Sequence, residues 1–350
     1  MSIDDKLLKK LRPSPPGNAG YEEKMARELD VFNKVENVHA LPEIFHYWSH
    51  NYLRPKFLEM GVRGIYEFFF DYMNAACKRG APGQAFVSLG SGHCEIEIQI
   101  VEMLVAAGCE NFVLECLDIN PNMLKRGSKS ADQKGIARYM RFVTADALVW
   151  TPKKGAYSVV MAHQSLHHFV DLELLFEKIK KSIGEQGVFL TSDVIGRNGH
   201  MRWPEAMSKI DEIWVGMPDK CKYNHALKRF EEKYENWDCS TDGFEGIRAQ
   251  DILPLLRKYF SFEMFLGFGN LIDIFVDRAF GHNFDPELIE DQRFIDKVAQ
   301  LDDQLLESGE LKPTHIIAVM RASPVMLPKY YKHLSPEVCT RETNLLIAGQ

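Results

Sequence analysis

Short apolar runs alternate with amphipathic stretches through the middle of the chain, in a repeating strand–helix order. Five apolar runs predict strands, at residues 85–89, 112–117, 140–144, 158–162 and 188–192. Between them, helical spacing appears at 95–107, 121–134 and 172–183, and a short connection at 148–154. Repeated strand–helix–strand units predict a doubly wound α/β fold, with helices on both faces of a parallel sheet. Such a sheet binds ligands at the carboxyl ends of its strands.

The residues before the first strand are rich in aromatic side chains at helical spacing. Residues 1–20, which contain several prolines and lysines, predict a mobile arm. Residues 21–80 predict a helical cap over the core, so that 1–80 form an N-terminal unit. Plain core helices without any contact to a ligand explain the same pattern equally well.

A different pattern follows the predicted core at 81–196. Residues 197–250 mix charged and aromatic side chains and predict an inserted helical lid, with helical spacing at 203–217 and 225–234. The chain then returns to the core over 251–322 and ends in a surface tail at 323–350.

The return segment predicts the last elements of the sheet. Its apolar runs at 262–266 and 315–320 predict a final strand pair with a late antiparallel strand, separated by a helical insertion at 271–308. A helix at 249–259 precedes this pair.

Composition narrows the class of protein. With 350 residues and 45% hydrophobic content the chain can bury a large core. The formal net charge of −7 gives no general attraction to nucleic acid or to an anionic membrane, and no apolar run is long enough to cross one. Seven cysteines without a C-x-x-C pair indicate reduced thiols, so we expect a cytoplasmic protein. A homodimer is compatible with this composition.

A glycine turn follows the first predicted strand. Gly90-Ser91-Gly92 lies just before the helix that begins near Glu95. Glycine lets a ligand lie against the main chain, and a helix N-terminus offers free N–H groups. An ordinary turn has the same residues, so the glycine pair by itself does not identify a site.

Two carboxylates follow the next two strands. Asp118 ends the second strand, where it can accept hydrogen bonds from ribose hydroxyls. Asp146 ends the third strand and can accept a hydrogen bond from an exocyclic amine, with the N–H of Ala147 near a ring nitrogen. A solvated loop acid is the alternative for each.

The order of these residues resembles class I S-adenosylmethionine-dependent methyltransferases. The resemblance covers about 80–195 and includes residues 117–124 and the Leu-His-His-Phe run at 166–169. It implies a Rossmann-like sheet and S-adenosyl-L-methionine as cofactor. The implied cofactor-binding residues are Gly90, Ser91 and Gly92 for the methionine part, Asp118 for ribose, and Ile119, Met123, Asp146 and Ala147 for adenine. Dinucleotide-binding Rossmann enzymes are the rival family, which the histidine run disfavours.

Two positions depart from the family pattern. Ser88 stands where the family usually has an acid, and Cys94 where it usually has a third glycine. We hypothesise that Glu95 holds the cofactor's amino group in place of the missing acid.

Histidines cluster around the fourth strand. His93, His163, His167 and His168 match no structural zinc spacing, so we predict no metal. By the resemblance, His163 and Gln164 lie near the cofactor's sulfonium. His167 is predicted as a catalytic residue and His168 as a substrate contact on the floor of the site. A hydrogen-bonded structural histidine is the alternative for each.

The loop after the fifth strand leads into the predicted lid. Asp193 or His200 can take a proton from an acceptor hydroxyl, and Arg197 and Arg202 can hold a carboxylate or phosphate. Trp203 is predicted to contact the substrate. A solvated lid face, with Asp193 as a helix cap, fits equally well.

These observations predict methyl transfer to a small molecule, namely a hydroxyl or amine of a sugar, metabolite or natural product. The large insertion at 197–250 predicts an enclosed acceptor pocket. Three alternatives stay open: a binding or scaffold protein that has lost turnover, a methyltransferase acting on protein or RNA, and a nicotinamide-dependent enzyme.

Overall fold

The structure is a computed structural model that describes residues 19–34, 41–79, 83–241 and 243–341. Most of the predicted arm and the end of the predicted tail lie outside these residues.

A large mixed sheet forms the centre of the described chain. Its strands are β1 (Gln84–Leu89), β2 (Phe112–Asp118), β3 (Met140–Thr144), β4 (Val159–His163), β5 (Val188–Val194), β8 (Ser261–Phe268), β9 (His315–Arg321) and β10 (Lys329–Tyr330). Their order in the sheet is β10-β8-β9-β5-β4-β1-β2-β3, with β1 to β5 parallel and β9 antiparallel to both of its neighbours. The predicted fold class, a Rossmann-like, mostly parallel sheet with a late antiparallel strand, is confirmed.

Helices cover the sheet and precede it. Those before β1 are α1 (Ala19–Lys34), α2 (Glu43–Trp48), α3 (Arg54–Glu59) and α4 (Ile65–Lys78), with a π-helical turn at Ser49–Leu53. Those that follow are α5 (Glu95–Ala106), α6 (Pro121–Gln133), α7 (Leu172–Ile183), α8 (Pro204–Gly216), α9 (Ala249–Tyr259), α10 (Ile272–Val276), α11 (Ile289–Ser308) and α12 (Pro336–Cys339). None of these described helices combines the length and apolarity that a membrane crossing requires.

Local sequence explains where the central elements begin and end. The central strands β4 and β5 are buried almost throughout, as expected of parallel strands covered on both faces. Helix α6 begins where Asn120 accepts hydrogen bonds from the N–H groups of Asn122 and Met123, and Pro121 occupies the first helical position. The turn between β2 and α6 therefore lies at the edge of the sheet where the parallel strands end.

The prediction of a helix at 225–234 is wrong. This segment contains part of a small hairpin, formed by β6 (Tyr223–Asn224) and β7 (Arg229–Phe230). The side chain of Asn224 accepts hydrogen bonds from the N–H groups of Ala226 and Leu227, 3.0 Å each, and so makes a turn. Because this side chain competes with helical hydrogen bonding, the spacing of apolar residues misled the prediction.

The prediction of a surface tail is also wrong for residues 323–341. Strand β10 pairs in parallel with β8 at the edge of the sheet, and Tyr331, Leu334 and Cys339 are buried. A two-residue strand and a four-residue helix are too short to produce a visible period in the sequence.

Candidate functional site

The glycine turn lies at the carboxyl end of β1 and is attached to β2. The N–H groups of Gly90 and Ser91 donate to the carbonyl of Leu117, at 2.8 and 3.2 Å. Gly90 has a φ of +71°, and a Cβ there would lie 2.7 Å from the Cβ of Ser165. Only glycine meets both the conformation and the close approach, so the turn presents bare main chain to the cavity beside it.

Asp118 fastens this turn to the end of β2. One carboxylate oxygen accepts from the N–H of Gly92 and the other from the N–H of Asn120, both at 2.8 Å. Burial raises the pKa of Asp118, and these two hydrogen bonds oppose the rise. A carboxylate oxygen has two lone pairs, so each oxygen retains capacity for a ligand hydroxyl.

Glu97, an acid that the sequence analysis did not single out, lies next to the strand that leads into the turn. Ser88 donates to Oε1 of Glu97 at 2.6 Å, and Glu97 is only 4% exposed. Burial raises the pKa of Glu97 to about 7. The carboxylate absent from position 88 is therefore supplied by helix α5, whereas Glu95 is exposed at the cavity rim.

Cys94, at the position of the family's third glycine, keeps the conformation of a glycine. Its φ is +59°, in the left-handed region, where a side chain is strained. The N–H of Cys94 donates to the carbonyl of Ser91 at 2.8 Å, which closes the turn before α5. The replacement thus alters the side chain and leaves the turn's shape.

Helix α1 covers the end of β3. The hydroxyl of Tyr21 donates to Asp146 at 2.7 Å, and the other carboxylate oxygen accepts from the N–H of Leu148 at 2.7 Å. The Tyr21 ring lies 5.2 Å from that of Phe244, centroid to centroid. Burial, followed by the hydrogen bond to Asp146, raises the pKa of Tyr21. The N-terminal helix and the 197–250 segment therefore meet above Asp146.

One cavity of about 1500 Å³ connects these features. This exceeds the roughly 300–1,000 Å³ of a pocket for one drug-sized ligand, so two ligands fit. Gln164 lies in its wall with a strained φ of +48°, held by a 2.8 Å hydrogen bond from its N–H to the carbonyl of Ser192. The predicted cofactor-binding residues that line the cavity are Gly90, Ser91, Gly92, Glu95, Asp118, Ile119, Met123, Asp146, Ala147, His163 and Gln164.

A polar cluster forms the floor of the cavity beyond Gln164. His167 places Nδ1 2.6 Å from Asp193 and Nε2 3.3 Å from Oε1 of Glu245. The same glutamate oxygen lies 2.5 Å from Nε2 of His200, and its second oxygen lies 3.5 Å from Nε2 of His168. The predicted residues His167, His168 and His200 are therefore brought together around Glu245, which the sequence did not single out.

Opposite charges determine the protonation of this cluster. Burial alone would lower the pKa of His167, but the charge and hydrogen bond of Asp193 raise it to about 10. Burial alone would raise the pKa of Glu245, but hydrogen bonds with His167 and His200 hold it well below its usual range. Burial lowers the pKa of His200. His167 is thus a cation between two carboxylates when no other cation is present.

Asp193 is not placed to contact an acceptor, which corrects its predicted role as a proton acceptor. It is fully buried and accepts hydrogen bonds from the N–H groups of Ser165 and Leu166, at 2.9 and 2.7 Å. With His167 also bound at 2.6 Å, its oxygens point toward the loop after β4 and away from the cavity. Asp193 therefore positions His167.

The predicted substrate contacts of the lid are divided between two surfaces. Arg202 lines the cavity, where it pairs with Asp273 at 3.2 Å. Trp203 and Arg197 do not line the cavity, and Trp203 lies just before the first residue of α8. The guanidinium of Arg341 lies 4.2 Å from the ring centroid of Trp203, and the guanidinium of Arg197 lies 5.4 Å from the same centroid. The predicted contacts of Arg197 and Trp203 with a substrate in this cavity are thus corrected.

Residues 82–239 match a family model described as a methyltransferase domain. No curated protein matches the chain.

Among solved structures, geranyl diphosphate C-methyltransferase from Streptomyces coelicolor A3(2) is similar at 12% identity and a TM-score of 0.45, over 88% of this chain and 100% of that one. A putative sarcosine dimethylglycine methyltransferase from Galdieria sulphuraria is similar at 13% identity and a TM-score of 0.41, over 73% of this chain and 85% of that one. Likeness of this degree says nothing about the acceptor.

The family match covers the segment that contains the glycine turn, Asp118, Asp146 and the histidine run. Its position agrees with the sheet, whose parallel strands end at the cavity. The segment at 82–239 is therefore a methyltransferase domain.

Proposed function

We propose that the protein transfers a methyl group from S-adenosylmethionine to a hydroxyl or amine of a small molecule, such as a sugar, metabolite or natural product. One observation carries this proposal. A single cavity connects the turn at Gly90 and Gly92, where the cofactor binds, to the polar cluster around Glu245. Donor and acceptor can therefore occupy neighbouring parts of one cavity.

The cofactor end of the cavity suits each part of S-adenosylmethionine. The main chain of Gly90, Ser91 and Gly92 lies beside the methionine part. Asp118 accepts hydrogen bonds from the ribose hydroxyls. At the rim, Glu95 holds the amino group. Ile119 and Met123 pack on adenine beside Asp146 and Ala147, and His163 and Gln164 border the sulfonium. These assignments are supported by the position of all eleven residues along the cavity.

The cavity combines aromatic walls with the polar cluster. Phe45, Trp48, Phe169, Trp237 and Phe268 are among the aromatic side chains that line the cavity. Aromatic walls with a few polar groups are typical of small-molecule sites. Tyr21 and Phe244, whose ring centroids lie 5.2 Å apart, also line the cavity.

The reaction needs alignment more than activation, because the sulfonium is already a good leaving group. The acceptor's lone pair forms a bond to the methyl carbon while the carbon–sulfur bond breaks, and S-adenosylhomocysteine is left. The acceptor's proton leaves through the polar cluster. Alignment and exclusion of water can supply roughly 7–11 kcal/mol of the barrier reduction.

Isotopically labelled S-adenosylmethionine and a panel of small hydroxyl and amine compounds test this proposal. We expect at least one compound to gain the labelled methyl group, with one equivalent of S-adenosylhomocysteine, as read by mass spectrometry. Cofactor binding without transfer to any small molecule would favour a scaffold, and transfer to protein or RNA would refute the acceptor class.

We also propose that the protein acts in the cytoplasm. All seven cysteines lie in the described residues and none forms a disulfide. Reduced thiols fit a reducing compartment. Fractionation of cells that express the tagged protein tests this location, and recovery outside the cytoplasmic fraction would contradict it.

A further inference from the structure

The polar cluster at the floor of the cavity combines two histidines and one carboxylate around a common point. One ring nitrogen of His167, one ring nitrogen of His200 and a carboxylate oxygen of Glu245 all lie within 4.8 Å of one another. We propose that these three residues bind a divalent transition-metal ion, of the kind represented by Zn²⁺ and Fe²⁺.

The distances from Glu245 to the two histidines are close to those around a bound ion. Ligands at about 2.0–2.1 Å from Zn²⁺ lie roughly 3.0–3.4 Å from each other in tetrahedral or octahedral geometry. Oε1 of Glu245 is 3.3 Å from His167, within that range, and 2.5 Å from His200. The distance between Glu245 and His200 has to lengthen by less than about 1 Å when an ion binds between them.

Asp193 prepares His167 for coordination. Its 2.6 Å hydrogen bond to Nδ1 fixes the ring so that Nε2 faces Glu245. Asp193 is itself held by the N–H groups of Ser165, Leu166 and Val194. A carboxylate that orients a metal-binding histidine through its other nitrogen is a recurrent arrangement in metal sites.

His200 reaches the cluster from a strained backbone conformation. Its φ is +55°, which is unfavourable for a residue with a side chain, and the preceding Gly199 has a φ of +65°. The N–H of Gly199 donates to the carbonyl of Gly246 at 2.9 Å, which fastens this turn to the neighbour of Glu245. Strained conformations persist at functional sites where the surroundings impose them.

Charge and ligand type indicate the kind of ion. The carboxylates of Asp193 and Glu245 balance the two positive charges of a divalent cation held by neutral histidines. Imidazole nitrogen favours Zn²⁺ and Fe²⁺, whereas Mg²⁺ and Ca²⁺ prefer sites made of oxygen. Three protein ligands leave coordination positions open on the cavity side, where His200 and Glu245 form part of the lining.

The expectation of no metal rested on spacing along the sequence. The three ligands come from the loop after β4, the loop after β5 and the segment before α9, so no short motif contains them. Binding of the metal ion does not depend on the proposed methyl transfer, whereas the catalytic role of the ion rests on that proposed function. In the proposed methyl transfer, the ion would bind an acceptor oxygen and make its hydroxyl easier to deprotonate.

Calorimetric titration of chelator-treated, dialysed protein with Zn²⁺ tests the site. We expect one ion per chain in the unsubstituted protein, and visible absorption of a four- or five-coordinate ion when Co²⁺ is used instead. Glu245→Gln should weaken Zn²⁺ binding by more than the 10–100-fold that loss of an outer partner costs. His200→Gln should do the same, which guards against misfolding of one variant.

Glu235→Gln is the matched control, because Glu235 lies on the same segment and borders the cavity without touching the cluster. It should bind Zn²⁺ as the unsubstituted protein does. Absence of Zn²⁺ and Co²⁺ binding, or equal binding by Glu245→Gln and His200→Gln, would overturn the proposal. Binding of S-adenosylmethionine is measured on the same samples, so loss of the metal site and failure of the methyltransferase proposal give different results.

Discussion

The buried carboxyl of Glu97 gives a direct prediction about stability and pH. Its pKa rises from 4.5 to about 7 on folding, because burial disfavours the charged form. Between these two values the folded chain binds more protons at this residue than the unfolded chain does. The contribution of Glu97 is therefore fully present below about pH 4.5 and is lost as pH rises through about 7. The shift corresponds to about 3 kcal/mol.

Glu97→Gln isolates this effect, because glutamine stays neutral and can still accept a hydrogen bond from Ser88. We expect the variant's free energy of unfolding to gain about 3 kcal/mol relative to the unsubstituted protein between pH 4 and pH 8. The difference should grow through that range, as measured by urea unfolding at a series of pH values. Glu110→Gln, at an exposed position, should show a difference of a few tenths of a kcal/mol at most. A constant difference between Glu97→Gln and the unsubstituted protein would refute the reasoning.

Three further substitutions test the cofactor end of the cavity. Gly90→Ala should lower stability by about 1–3 kcal/mol more than Gly135→Ala, because both have a φ near +70° but only Gly90 faces a neighbour at 2.7 Å; equal thermal shifts would contradict this. Asp118→Asn should weaken S-adenosylhomocysteine binding about tenfold or more in calorimetry, since it removes a charged acceptor; unchanged affinity would remove Asp118 from the site. Tyr21→Phe should speed hydrogen exchange in α1, since a hydrogen bond to a partly buried carboxylate is worth about 1.5–3 kcal/mol; unchanged exchange would show that this bond does not hold the helix.

Local signals explain why the central sheet was predictable. Its apolar runs are bounded by turn residues, and Asn120 with Pro121 determines the start of α6 without help from distant residues. The glycine turn was predictable for the same reason, since the turn requires a positive φ at Gly90 and Gly92 and glycine adopts that conformation readily. These features depend on neighbours in sequence.

The polar cluster depends on residues far apart in sequence. Glu245 and His200 are 45 positions apart, and a glutamate in a charged segment has no neighbour that marks it. Glu97 was missed for a related reason. It replaces the absent acid from the next helix, two positions beyond the residue that the pattern suggested. A buried Asp193 likewise looks, in sequence, like any acid at a strand end.

Calorimetric titration of the protein with S-adenosylmethionine is the most direct measurement of the central claim. We expect one molecule of S-adenosylmethionine to bind per chain, to be displaced by S-adenosylhomocysteine and to be unaffected by reduced nicotinamide cofactors. Absence of S-adenosylmethionine binding to the folded protein, or binding of a nicotinamide cofactor in its place, would contradict it.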